Sequence, residues 1–300
     1  MANTTTTTRI TTSDGVGLHV EDTGSGTPIV FVHEFADDLR GWEDQVRHFS
    51  RRYRCVTYNA RGYPPSDVPE DWERYSQERA RDDIRDVMKG LGIDRAYVVG
   101  NSMGGFASLH FAMDYPELCL GAVVAGCGYG AQPDKQEEFR QQTEATIAQI
   151  RTLGMEEVAK NYSRGPTRIQ HLNKDPRSYA EFARRLAEHS TLGSANTMQG
   201  VQNRRPSLWQ LADKMRATTT PILVVTGDED DPCLDPGVMM KRLIPSAWLL
   251  VLPHAGHNLN IEDPAIFNRF CEDFFHTIET GRWKPRDARA AVGGLIVAKD

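Results

Sequence analysis

The feature that most constrains this chain is its alternation of short β-branched or apolar runs with segments of helical period. Six runs read as strands: Pro28–Val32, Cys55–Tyr58, Ala96–Val99, Leu120–Val124, Pro221–Val225 and Trp248–Leu252. They are too short for buried helices, and Ala96-Tyr-Val-Val99 is apolar throughout, the pattern of a strand covered on both faces. Between them, Trp42, Val46 and Phe49 mark one helix over 42–53, and Ile84, Val87, Met88 and Leu91 give the stripe of another over 76–91. Met103–Asp114 forms a third, ending before Pro116, where the pre-proline clash disfavours the helical region at Tyr115. A last helix runs from Pro264 to about residue 278. Strands alternating with helices predict an α/β fold with a mostly parallel, doubly wound sheet.

The alternation breaks near residue 131. From Ala131 to Met215 no buried strand is legible, and the stretch carries 13 basic residues, nine of them arginines, against 10 acidic ones. The expected organisation is a core over 1–130, a helical cap inserted over 131–215, and the rest of the core with a tail over 216–300. The threonine run Thr4–Thr8 reads as low-complexity and frayed. The apolar tail end, Ala291–Ala298, reads as packing on its own domain or on a partner.

Composition excludes several classes. With 39% hydrophobic and 25% charged residues over 300 positions, the chain is neither disordered nor collagen-like. A net charge of −6 disfavours non-specific binding to nucleic acid. No apolar run is long enough to span a membrane. The start MANTTTTTRITTSDG has neither a basic nor an apolar stretch, so no signal peptide is expected. Five scattered cysteines without a C-x-x-C pair fit a reducing, cytoplasmic setting in which they act as small core residues. No metal and no cofactor are expected. The expected partner is a small-molecule substrate, with no nucleic acid and no membrane; a homodimer stays open.

The chemistry concentrates at Gly100-Asn-Ser-Met-Gly104, a G-x-S-x-G between an expected buried strand and an expected helix. A sharp turn there lifts the Ser102 hydroxyl above the sheet edge, and the glycines relieve crowding against neighbouring backbone. The bland alternative is a glycine-rich turn whose serine caps the helix. A serine hydroxyl needs a base, and the base an orienting acid. Acids follow the fifth strand in Gly227-Asp-Glu-Asp-Asp-Pro232, and histidines follow the sixth in Pro253-His-Ala-Gly-His257.

On these residues the chain resembles the α/β-hydrolase fold in its cap-bearing branch of serine esterases and carbon–carbon hydrolases, over residues 10 to 280. The chain order of nucleophile, acid and histidine is that of the family. The resemblance implies Ser102 as nucleophile, Asp230 as acid with Asp228 and Asp231 as rivals, and His257 as base with His254 as competitor. It places the oxyanion hole at the backbone N–H groups of Met103 and Phe35. Relatives read His-Gly-x where this chain reads His33-Glu34-Phe35. The glutamate departs from the pattern: its side chain turns to solvent or pairs with a basic residue, or it orients a water or a polar substrate group. Asn59-Ala-Arg-Gly-Tyr-Pro-Pro-Ser66 resembles a structural turn of the family. A serine at 102 disfavours epoxide opening and dehalogenation, which use an aspartate there. His171 and His189 in the insertion read as surface positions, with contact to a substrate as the alternative. The implied activity is hydrolysis of an ester or lactone; carbon–carbon hydrolysis of a ring-cleavage product and a non-catalytic ligand-binding role are the alternatives.

Overall fold

The computed structural model describes residues 4–291. Eight strands form one sheet: β1 (Thr5–Thr11), β2 (Gly17–Gly24), β3 (Thr27–Val32), β4 (Tyr53–Tyr58), β5 (Ala96–Asn101), β6 (Cys119–Ala125), β7 (Ile222–Gly227) and β8 (Ala247–Leu252). Their spatial order is β1-β2-β4-β3-β5-β6-β7-β8. β2 runs antiparallel to both its neighbours, and every other pairing is parallel. This is the mostly parallel, doubly wound sheet that the alternation of runs points to.

The helices of the core are α1 (Glu43–Phe49), α2 (Gln77–Gly90) and α3 (Met103–Asp114). Between β6 and β7 come α4 (Gln136–Leu153), α5 (Met155–Tyr162), α6 (Ile169–Lys174), α7 (Pro176–Ala187), α8 (Thr191–Thr197) and α9 (Ala212–Ala217). The chain closes with α10 (Asp231–Leu243), the single turn α11 (Leu259–Glu262) and α12 (Pro264–Glu279). Side chains alternate across a strand, so each central strand serves two cores. Val30, Val98, Val124 and Val224 pack with Ile84, Val87 and Phe106 from α2 and α3. Phe31, Val99, Val123 and Val225 pack with Phe49, Phe267, Phe274 and Phe275 from α1 and α12. Tyr97 stacks on Phe275 at 4.2 Å between ring centroids, worth ~1 kcal/mol beyond its buried area.

A third apolar cluster joins the insertion to the core. Ile147, Val158, Tyr179 and Phe182 of the insertion bury together with Phe35, Tyr63 and Met103 of the core. All five cysteines are free and buried. Among the described residues no helix is long and apolar enough to cross a membrane.

The threonine run departs from its reading as frayed. Thr5–Thr11 is a paired edge strand, in register from Thr5↔Thr23 to Thr11↔Gly17. β-Branched threonine fits a pleated surface without apolar alternation, and the Thr5 and Thr23 hydroxyls lie 2.9 Å apart across the pair. Trp283 of the tail packs at 4.4 Å from Trp248 and 5.2 Å from Phe274. The apolar end at positions 292–298 lies outside the described residues.

Candidate active site

Ser102 sits in the turn between β5 and α3, with φ 52° and ψ −115°. That conformation is sparsely populated for a residue with a Cβ and costs ~1–3 kcal/mol. Close packing around it holds the turn. A Cβ on Gly100 would stand 2.1 Å from the Gly104 carbonyl oxygen, and one on Gly104 would stand 2.0 Å from that of Val32. Backbone therefore approaches where only glycine fits. The Ser102 N–H donates to the Ala125 carbonyl at 2.8 Å, tying the elbow to β6. Its hydroxyl makes no capping bond to α3, so the helix-cap reading fails and the hydroxyl is left for other work.

His257 Nδ1 lies 2.6 Å from Asp230 Oδ2, both side chains buried. Burial alone pushes the Asp230 carboxyl up, but His257, together with the Cys233 thiol and Arg168, outweighs it and the carboxyl is held below its ordinary value. Asp230 is therefore ionised at neutral pH. An ionised carboxylate only accepts, so Nδ1 carries the imidazole proton and Nε2 is left basic. Two backbone bonds lace the acid loop to the histidine loop: Glu229 N–H donates to the Ala255 carbonyl at 3.0 Å and Asp228 N–H to that of Leu252 at 3.0 Å. Asn101 Nδ2 donates to the His257 carbonyl at 3.1 Å.

None of the rival residues joins the His257–Asp230 pair. Asp228 accepts from the Ala255 N–H at 3.1 Å and is exposed, as is Asp231 at the start of α10. His254 is exposed and lies 3.2 Å from Glu229. Asp230, Cys233 and His257 bring ligand-type atoms within 4.8 Å of one another. Burial, and then Asp230, push the Cys233 thiol well above its ordinary value, so it is a neutral thiol beside the pair.

The loop after β3 is pinned from several sides. His33 Nδ1 donates to the Glu34 carbonyl at 2.7 Å, while its Nε2 accepts from the Ala60 N–H at 3.0 Å. Burial lowers the His33 pKa, so the ring is neutral and can fill both roles. The Tyr63 hydroxyl donates to the Phe35 carbonyl at 2.9 Å. Because a trans peptide sets C=O and N–H on opposite sides, the bond to His33 aims the Phe35 N–H away from that ring. The start of α3 lies against this loop: a Cβ on Gly104 would also stand 2.8 Å from the His33 carbonyl oxygen. Met103, at the helix start, has no intrahelical acceptor for its N–H.

Glu34 is buried at 4% exposure. Arg168 of the insertion donates from Nη1 and Nη2 to its two carboxylate oxygens at 2.7 and 2.5 Å. Of the two bland alternatives, solvent and a basic partner, the structure has the partner. A cavity of about 460 Å³ lies between core and insertion, walled by Ser102, Asp230 and His257 below and by Tyr162, Arg168 and Arg205 above. Arg205 packs its guanidinium 3.9 Å from the Phe106 ring centroid, one turn beyond the elbow, and donates to the Tyr129 carbonyl and to Gln202. Burial lowers its pKa to about 10, and the titratable neighbours acting on it are Cys127, Cys233 and Tyr162, none a carboxylate. Reading the sequence placed arginines in the insertion without distinguishing these two.

His171 and His189 are buried, not on the surface. His171 contacts Ser178 at 3.1 Å and accepts from Asn258 Nδ2 at 2.9 Å. Burial lowers the pKa of each to about 4. A loop histidine and a packed one look alike without the tertiary neighbours.

Fold and site together define a hydrolase of the α/β class. Residues 27–264 match the alpha/beta hydrolase fold family, and the chain belongs to it. It is 28% identical over 268 residues to the 2-hydroxy-6-oxo-6-phenylhexa-2,4-dienoate hydrolase of Burkholderia cepacia, covering 86% of this chain and 90% of that one. It superposes on the enol-lactonase of Burkholderia xenovorans LB400 with a TM-score of 0.78 at 21% identity, covering 90% and 100% of the two chains. A malate-bound thermophilic esterase from Thermogutta terrifontis gives 0.78 at 24% identity, covering 91% and 99%.

Proposed function

We propose that the chain hydrolyses an ester or lactone bond of a small organic substrate through Ser102, His257 and Asp230. The observation that carries this reading is the buried His257–Asp230 pair at 2.6 Å, on the wall of the same cavity as the strained Ser102 turn. Ser102 Oγ attacks the carbonyl carbon while His257 Nε2 takes its proton. The negative oxygen of the tetrahedral intermediate accepts from the Phe35 and Met103 N–H groups. The intermediate collapses to a Ser102 acyl ester as the imidazolium returns the proton to the leaving oxygen. Water, deprotonated by the same nitrogen, then attacks the acyl carbon; the bond to Ser102 Oγ breaks as that oxygen takes the proton back, and the acid is released. Asp230 keeps the imidazole oriented and stabilises its charged form.

One observation favours a second reading. Arg205 presents a guanidinium to the cavity with no carboxylate among its titratable neighbours, which suits a substrate bearing a carboxylate. Such an anion suits hydrolysis of a carbon–carbon bond beside a ketone as well as that of a carboxylate-bearing ester.

The test is turnover of a p-nitrophenyl ester series beside Ser102→Ala, with fluorophosphonate labelling of both. Activity and labelling that vanish in Ser102→Ala are the expected result. A parent that is neither active nor labelled would leave a ligand-binding role. In the same series, Arg205→Met raises KM for the hemisuccinate ester about tenfold and leaves the butyrate ester unchanged if the anion subsite is real.

A further inference from the structure

The Glu34–Arg168 pair joins residues 134 positions apart, with side chains only 5% exposed at each end. The bonds around Arg168 extend further. The carbonyl of Thr167, the residue before it, accepts from the His257 N–H at 2.9 Å. Gly256 presses so closely on this carbonyl that a Cβ there would lie 2.4 Å from its oxygen. Two residues beyond Arg168, Gln170 donates to Glu229 in the acid loop. One turn of the insertion therefore grips the loop after β3, the histidine loop and the acid loop together. The side chains of Phe35 and Met103 also pack in the insertion's own apolar cluster, with the Phe35 ring 5.6 Å from Tyr162.

We propose that Arg168 is a positioning residue for hydrolysis: with Thr167 it straps the Phe35 loop and the His257 loop to the insertion, so that the hydrolytic geometry exists only while the insertion is seated. The inference rests on the serine-hydrolase reading above. Its physical basis is twofold. The Glu34–Phe35 peptide carries an N–H proposed to bind the oxyanion, and the Glu34 side chain is held through two parallel charge-assisted bonds. Arg168 also neutralises a carboxylate that would otherwise oppose negative charge developing nearby. Losing the guanidinium thus harms the site more than losing the carboxylate does.

The experiment measures the rate of fluorophosphonate labelling of Ser102, together with the melting temperature, in Arg168→Met, Glu34→Gln and the double variant. Arg168→Met should slow labelling about 100-fold, the scale of an ångström misplacement, and Glu34→Gln by less. Each single variant leaves a buried charge unpaired and lowers the melting temperature. The double variant removes both charges and should recover most of the stability. Labelling that stays slow in this refolded double variant supports positioning. A purely structural pair would recover rate and stability together, and that result overturns the inference. A parent enzyme whose Ser102 is never labelled refutes the serine-hydrolase reading itself and takes this inference with it. Ester kinetics give a further readout: positioning lowers kcat while KM moves little.

Discussion

Gly104→Ala offers the sharpest test of how the elbow is built. The added methyl carbon would stand 2.0 Å from the Val32 carbonyl oxygen, 2.6 Å from its carbon and 2.8 Å from the His33 carbonyl oxygen. All three are backbone atoms, so no rotamer change relieves the contact. Real Cβ atoms keep about 3 Å from such atoms, so α3 must retreat from the end of β3 by about 1 Å. Overpacking of this kind costs ~1–3 kcal/mol of stability. The retreat also separates the Met103 N–H from the loop that carries Phe35, and a 1 Å misplacement costs about 100-fold in kcat. Gly237→Ala in α10 is the control, because its nearest neighbour is the Thr226 methyl at 3.5 Å. There the methyl has room, and the alanine gains up to ~1 kcal/mol of helix propensity. The assay is kcat and KM on a short-chain ester alongside thermal melting. A Gly104→Ala enzyme with kcat within about threefold of the parent would refute the reasoning, since the two backbone segments would then tolerate the separation.

Two further predictions concern carboxyl groups. Asp230→Asn should lower kcat about 10⁴-fold while leaving the fold intact, because the amide no longer stabilises the imidazolium and favours the wrong tautomer; circular dichroism and ester kinetics check it, and a loss below tenfold would count against the acid role. Asp37 lies buried beside Asp38, and burial first, then that neighbour, push its carboxyl up to about 8. Between its ordinary value of 3.8 and about 8 the folded state keeps a proton that the unfolded chain has released, so stability falls as pH rises, by ~1.4 kcal/mol per unit at most. Asp37→Asn cannot ionise. It should melt above the parent at pH 9 and level with it near pH 4, and melting curves that run parallel across that range would sink the assignment.

Much of this molecule was legible from the chain alone. The central strands, α2, α3 and the last helix stand where their apolar periods place them, because period 2 and period 3.6 are properties of neighbouring residues. The serine turn was equally legible, since its glycines answer a crowding imposed within a few positions. β1 was missed because an edge strand of threonines is held by pairing with β2, which leaves no apolar alternation to read. Asp228, Asp230 and Asp231 share one turn and one residue type; only the fold aims Asp230 at a histidine 27 positions away. The buried state of His171 and His189 likewise depends on helices packed around them.

Glu34 marks the boundary most clearly. In the chain it is a carboxylate where the family resemblance implies glycine, beside a group proposed to stabilise negative charge. In the fold it is neutralised by Arg168 and becomes part of a tie between the two halves of the site. The chain by itself determined where the central strands, the serine turn and its helix fall, since these are set by local sterics and hydrophobic period. Tertiary structure alone decided which charges meet, because a salt bridge depends on two positions that only the folded backbone brings within 3 Å of each other.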